Sequence, residues 1–129
     1  MKLSSLLLIN AIIGIIFGIA FVLFPGQIYT LHNVEVSPQL NYMGQFFGAA
    51  LITLGILSWF ARNLVSVDAL KVIVLAFLIG DIIGFIVALI GQLSNVVNDL
   101  GWLNVLIYLL LSLGFSYFQF KKVAHVKTV

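Results

Sequence analysis

Lys71–Gln92 reads KVIVLAFLIGDIIGFIVALIGQ, a run of apolar residues interrupted by a single carboxylate, Asp81. About 20 such residues suffice to cross the hydrocarbon layer of a bilayer, so this stretch is a membrane span with an acid at its centre. An ionised Asp at that depth costs about 2.5–3.5 kcal/mol on insertion scales. A side chain that expensive must be neutralised, paired inside a bundle, or used.

Outward from this stretch the chain repeats the pattern. Of its 129 residues, 63% are hydrophobic and 8% charged, and the mean hydropathy is +1.24. Soluble domains carry roughly 25% charged residues, so the surface of this chain is fit for lipid and not for water. Four spans fit, over residues 4–24, 40–61, 69–91 and 101–120. They leave no room for a soluble domain, and strand alternation of the kind that marks an outer-membrane barrel is absent. The expectation is one domain over residues 1–129, an all-α integral membrane protein folded as a four-helix up-down bundle. Lys2 followed by an apolar run resembles a signal peptide. The run exceeds the usual 7–15 residues and no A-x-A-like site precedes Pro25, so it reads as an uncleaved first helix.

Charge sets an orientation. Lys2, Arg62, Lys71, Lys121, Lys122 and Lys127 all fall on one side of a four-span chain, and the two opposite loops contain no Lys or Arg. The positive-inside rule then places both termini in the cytoplasm and the chain in the cell membrane. Such a bias argues against a dual-topology transporter. Tyr29, Tyr42 and Trp102 fall at the outer interface, Trp59 and Tyr117 at the inner one, as amphipathic rings do. Phe24-Pro25-Gly26 stops the first helix. Ser66 is placed to cap the third, with Asp68 in its first turn, and Asn98 or Asp99 to cap the fourth.

Several chemistries are excluded by composition. Without cysteine there is no thiol nucleophile, thiolate metal site or disulfide. The six basic residues form no patch with interleaved aromatics, so nucleic acid is not a partner. His32 and Glu35 stand three apart in the outer loop, but a metal needs a further ligand, and none is nearby. His32 and His125 lie on opposite sides of the membrane, which rules out a hydrolytic triad, and no histidine lies within a span to hold haem. Neither a metal nor another cofactor is expected.

Small residues supply the expected packing seams. G-x-x-x-G occurs at Gly14/Gly18, Gly44/Gly48 and Gly80/Gly84, with Gly55 and Gly91 seven residues beyond the last two pairs. In lipid, such residues let helix backbones approach closely. On the third span Ala76, Gly80, Gly84, Ala88 and Gly91 form one stripe, with Asp81 at its edge. The fourth span repeats polar groups every four residues, Asn104, Tyr108, Ser112 and Ser116, continued by Gln119. Counting from the span ends puts Asp81 level with Tyr108 and Ser112, with Thr53 at a similar depth and Asn10 about one turn nearer the cytoplasm. These five residues are the expected ligand or proton site, in which Asp81, with no buried cation to pair it, is a neutral carboxyl hydrogen-bonded to a hydroxyl.

The chain resembles the small four-helix membrane proteins of prokaryotes loosely grouped as DoxX-like. The likeness rests on Phe24-Pro25-Gly26, on Gly44, Gly48 and Gly55 with Ala61-Arg62, on Leu100-Gly101-Trp102, and on Tyr117-Phe118. It implies a four-helix membrane fold and carries over no functional residue.

Three functional readings follow. The first is a non-enzymatic accessory, assembly or homo-oligomeric membrane component, acting through its glycine seams in contact with the bilayer or a larger membrane complex. The second is a proton-linked carrier or binding protein for a small hydrophobic ligand, using Asp81. The third is a membrane enzyme that modifies lipid.

Overall fold

The computed structural model describes residues 1–121. Lys122, His125 and Lys127 lie outside the described residues. The described chain is entirely helical apart from its connections: α1 (Leu3–Leu23), α2 (Pro25–Leu31), α3 (Pro38–Ala61), α4 (Val67–Leu93) and α5 (Gly101–Phe120). Four of them, α1, α3, α4 and α5, are long and apolar enough to cross a membrane. They match the expected spans to within two residues at each end.

The fifth helix, α2, occupies part of the connection that the sequence suggested was loop. Pro25 stands at its first position, where the absent N–H would have had no helical partner. It ends through Asn33, whose φ of 58° is left-handed. Asn33 N–H reaches Thr30 O at 3.0 Å and Val34 N–H reaches Tyr29 O at 2.9 Å, the two bonds of a Schellman closure. Helix α4 closes the same way through Asn95, with Val96 N–H on Gly91 O at 3.0 Å. At helix starts, Ser37 accepts from Leu40 N–H and Ser66 from Ala69 N–H. The expected cap of α5 differs. Leu100 holds the cap position with no side-chain bond, because Asn98 Oδ1 accepts one residue too early, from Leu100 N–H at 3.1 Å.

The long helices form two antiparallel pairs, α1 with α3 and α4 with α5. They converge at the end of the bundle that carries the basic residues. There Leu3, Leu7, Ala61, Leu70, Phe77 and Phe115 belong to one buried cluster drawn from all four long helices. Phe77 and Phe115 stack at 5.3 Å between centroids. Leu6 of α1 also fills the space above Gly114 of α5.

The two pairs are built differently. Every buried residue of α3 is small: Gly44, Gly48, Gly55, Ser58 and Ala61. A Cβ on Gly48 would lie 2.6 Å from Gly18 O, and one on Gly18 2.7 Å from Gly48 O, so backbone rests on backbone. Gly14 and Gly55 continue that contact, with a Cβ on Gly14 reaching 3.1 Å from Gly55 Cα. Gly44 instead makes room for the Tyr29 hydroxyl of α2. On α4 only Gly84 meets a neighbour, the Tyr108 ring; around Gly80 and Gly91 nothing lies within 4 Å of the Cβ position. The expected stripe along α4 is therefore split. The side turned to α5 follows Phe77, Asp81, Gly84 and Ala88 in alternating steps of four and three, and Ala76 and Gly80 lie exposed on the outer side.

Candidate functional site

Asp81 sits at a seam position of the α4–α5 pair. The contact of Gly84 with Tyr108 and the stack of Phe77 on Phe115 fix the antiparallel register. Asp81 then falls opposite Leu111 and Ser112. The Tyr108 ring covers the bare backbone at Gly84, and its phenol stands within electrostatic reach of the Asp81 carboxyl. This register sets Asp81, Tyr108 and Ser112 along one seam.

The hydrogen bonds expected of that association are not formed. Asp81 Oδ2 and Ser112 Oγ are both enclosed, and neither has a partner. Unpaired polar atoms of this kind cost about 1–3 kcal/mol each when shut away from water. The site is therefore two polar groups facing across a helix seam without satisfying each other.

Asn10 and Thr53 do not join this seam. Asn10 Nδ2 donates to Ser58 Oγ at 2.8 Å, between α1 and α3. The contact of Leu6 with Gly114 puts Asn10 within about one turn of the Asp81 depth, but in the other helix pair. Thr53 is exposed and spends its hydroxyl on Ala49 O of its own helix at 3.0 Å. It lies two residues before Gly55, about 200° around the helix, and so points away from α1. Ser58, fully buried, is the polar residue that the sequence reading missed. Its signal was available: Gly44, Gly48, Gly55 and Ser58 share one face at steps of four, seven and three.

The polar row of α5 divides its work. Asn104 donates to His32 Nε2 at 3.4 Å, while His32 Nδ1 donates to Ile28 O at 2.9 Å, an arrangement that suits a neutral imidazole with its proton on Nδ1. Asn98 reinforces the same join. Its backbone N–H reaches His32 O at 3.2 Å and its Nδ2 reaches Leu31 O at 2.9 Å. Gln92 Nε2 donates in turn to Asn98 O at 3.2 Å. His32 is thus committed to joining the connection after α2 to α5, and Glu35 is exposed in the segment that follows. An open cavity of about 610 Å³ beside α2 is lined by Gly26, Gln27, Thr30, Leu31 and Val36, and none of these belongs to α4 or α5.

At the basic end the aromatic rings hold cations. The Arg62 guanidinium lies 4.0 Å from the centroid of Trp59. Lys121 Nζ lies 4.9 Å from Tyr117 and 5.5 Å from Phe118. The sequence reading had treated these rings only as interface anchors.

Residues 1–120 match the family model described as Domain of unknown function (DUF8292), and the chain belongs to that family. No curated protein and no solved structure matches it.

Proposed function

We propose that the protein is a non-enzymatic, multi-pass membrane component that works by helix association, with a second copy of itself as the first partner. The observation that carries this reading is the outer side of α4. Gly80 and Gly91 are eleven residues apart, three turns on one face, and among the described residues nothing lies within 4 Å of the Cβ position of either. Between them Ile83 and Val87 are exposed. Bare helix backbone flanked by β-branched side chains suits close approach of another helix in lipid, where packing replaces the hydrophobic effect. The chemistry inside the bundle is sparse.

The chain has no cysteine, which makes a direct test simple. Gly80→Cys in vesicles should form disulfide-linked dimers on mild oxidation. Gly80→Leu should abolish the oligomer seen by native mass spectrometry, while Asp81→Asn leaves it intact. A protein that stays monomeric at every protein-to-lipid ratio would remove this reading.

A second reading is favoured by one observation, the enclosed and unpartnered Asp81 Oδ2 and Ser112 Oγ. On this reading the seam is a proton-linked binding site for a small hydrophobic or protonatable ligand, as intramembrane acids often are. It predicts pH-dependent binding of a lipophilic amine that is lost in Asp81→Asn. Equal binding by the two proteins at every pH would exclude it.

A further inference from the structure

The basic end of the bundle gathers cations around the core. Leu3, Ala61 and Leu70 belong to one buried cluster, and each is the sequence neighbour of a basic residue: Lys2, Arg62 and Lys71. Phe118, of the same cluster, lies under Lys121. Four cations from four helix ends thus surround one apolar plug. Asp68, exposed in the first turn of α4, is the one acid among the described residues of that end.

Arg62 differs from the other three. Its guanidinium carbon lies 4.0 Å from the centroid of Trp59, a cation–π contact that holds the group against the indole. Its Nε is enclosed and has no partner among the described residues. With Nε closed off, it is the Nη groups that can meet an acceptor from outside, and an anionic oxygen is the strongest acceptor for a guanidinium. Beside it the surface is apolar: Trp59 and Val65 are both exposed. An acceptor that arrives with its own apolar body suits this surroundings better than a free ion does.

We propose that Arg62, oriented by Trp59 and supported by Lys2, Lys71 and Lys121, binds the phosphodiester of an anionic phospholipid at the basic end of the bundle. The glyceryl and upper acyl part of the lipid lies along Trp59 and Val65. The site is separate from the Gly80 side of α4 and from the Asp81 seam, so it stands whatever becomes of either functional reading.

The test uses the full chain in nanodiscs of mixed phosphatidylcholine and phosphatidylglycerol, released into native mass spectrometry to count retained lipids. Phosphatidylglycerol should be retained in preference to phosphatidylcholine. Arg62→Gln should lower that retention about tenfold, as expected for loss of a charge-assisted hydrogen-bonding fork. Lys71→Gln should lower it by about fivefold or less, the effect of one peripheral cation near the surface. Arg62→Lys keeps the charge but not the fork and should retain an intermediate amount, which protects the test should Arg62→Gln fail to fold. Trp59→Leu should weaken retention with all four cations present. Equal retention of the two lipids would overturn the proposal, as would an unchanged count in Arg62→Gln, or displacement of the lipid by millimolar inorganic phosphate.

Discussion

The α1–α3 pair and the α4–α5 pair solve the same problem, holding two antiparallel helices together in lipid, with opposite materials. In α1–α3 the seam is glycine on glycine, and the polar contacts across it are closed, Asn10 on Ser58 at 2.8 Å and Gln45 Nε2 on Val22 O at 3.1 Å. In α4–α5 the seam is filled by rings, Phe77 on Phe115 and Tyr108 on Gly84, and its polar groups Asp81 Oδ2 and Ser112 Oγ are left open. Backbone packed on backbone has less room to adjust than a ring packed on backbone. Added volume should therefore cost more in the first seam than in the second.

That contrast can be broken most severely at Gly48. Gly48→Leu places a side chain where Gly18 O already sits. It should cost about 3 kcal/mol or more, beyond the usual 1–3 kcal/mol of overpacking, measured by unfolding in mixed micelles. If it costs less than about 1 kcal/mol, that seam has room to adjust. Gly84→Ala is the matched change in the other pair. The added Cβ meets only the Tyr108 ring, so a cost of about 1–2 kcal/mol is expected, recovered by Tyr108→Ala in the same chain. An uncoupled double mutant would show that the ring does not fill that space.

Smaller effects separate the polar groups. Asn10→Ala should destabilise by about 0.6 kcal/mol and by no more than about 1.7, the range of interhelical hydrogen bonds in membranes, and a cycle with Ser58→Ala should recover most of it. Asp81→Asn should leave stability unchanged or raise it by about 1 kcal/mol, because it replaces an intramembrane acid with an amide and breaks no hydrogen bond at Oδ2. A loss above about 1 kcal/mol would mean that the carboxyl is satisfied in the membrane. Smallest of all, Gly80→Ala should change monomer stability by no more than about 0.5 kcal/mol, since no neighbour stands near.

Spans and helix ends were legible because they depend on local properties: apolar length, Pro25 after the first helix, Ser66 before a helix. The pairing of helices was not, because every span carried small residues and only packing decides which of them face a partner. Gly80 and Gly84 look equivalent in sequence, yet one faces a ring and the other nothing. Depth was legible for Asp81, Tyr108 and Ser112, all near the middle of their spans. Azimuth was misjudged for Thr53, whose hydroxyl the helix backbone itself satisfies. Helix α2 was missed because seven residues give too little periodicity to read, although Pro25 marks its start.

The unequal lengths of α4 and α5 have a further consequence. Helix α4 has 27 residues and α5 has 20, or about 40 Å against about 30 Å. The register set by Gly84 on Tyr108 leaves the surplus of α4 at the basic end, where its first turn overshoots α5 by about five residues, roughly 8 Å. Of the two, α5 is the one whose length matches the roughly 30 Å hydrocarbon layer. Measured along it, the position opposite Asp81 is near the midpoint, about 15 Å from either end. A proton or ligand arriving from one face would have as far to travel as one arriving from the other.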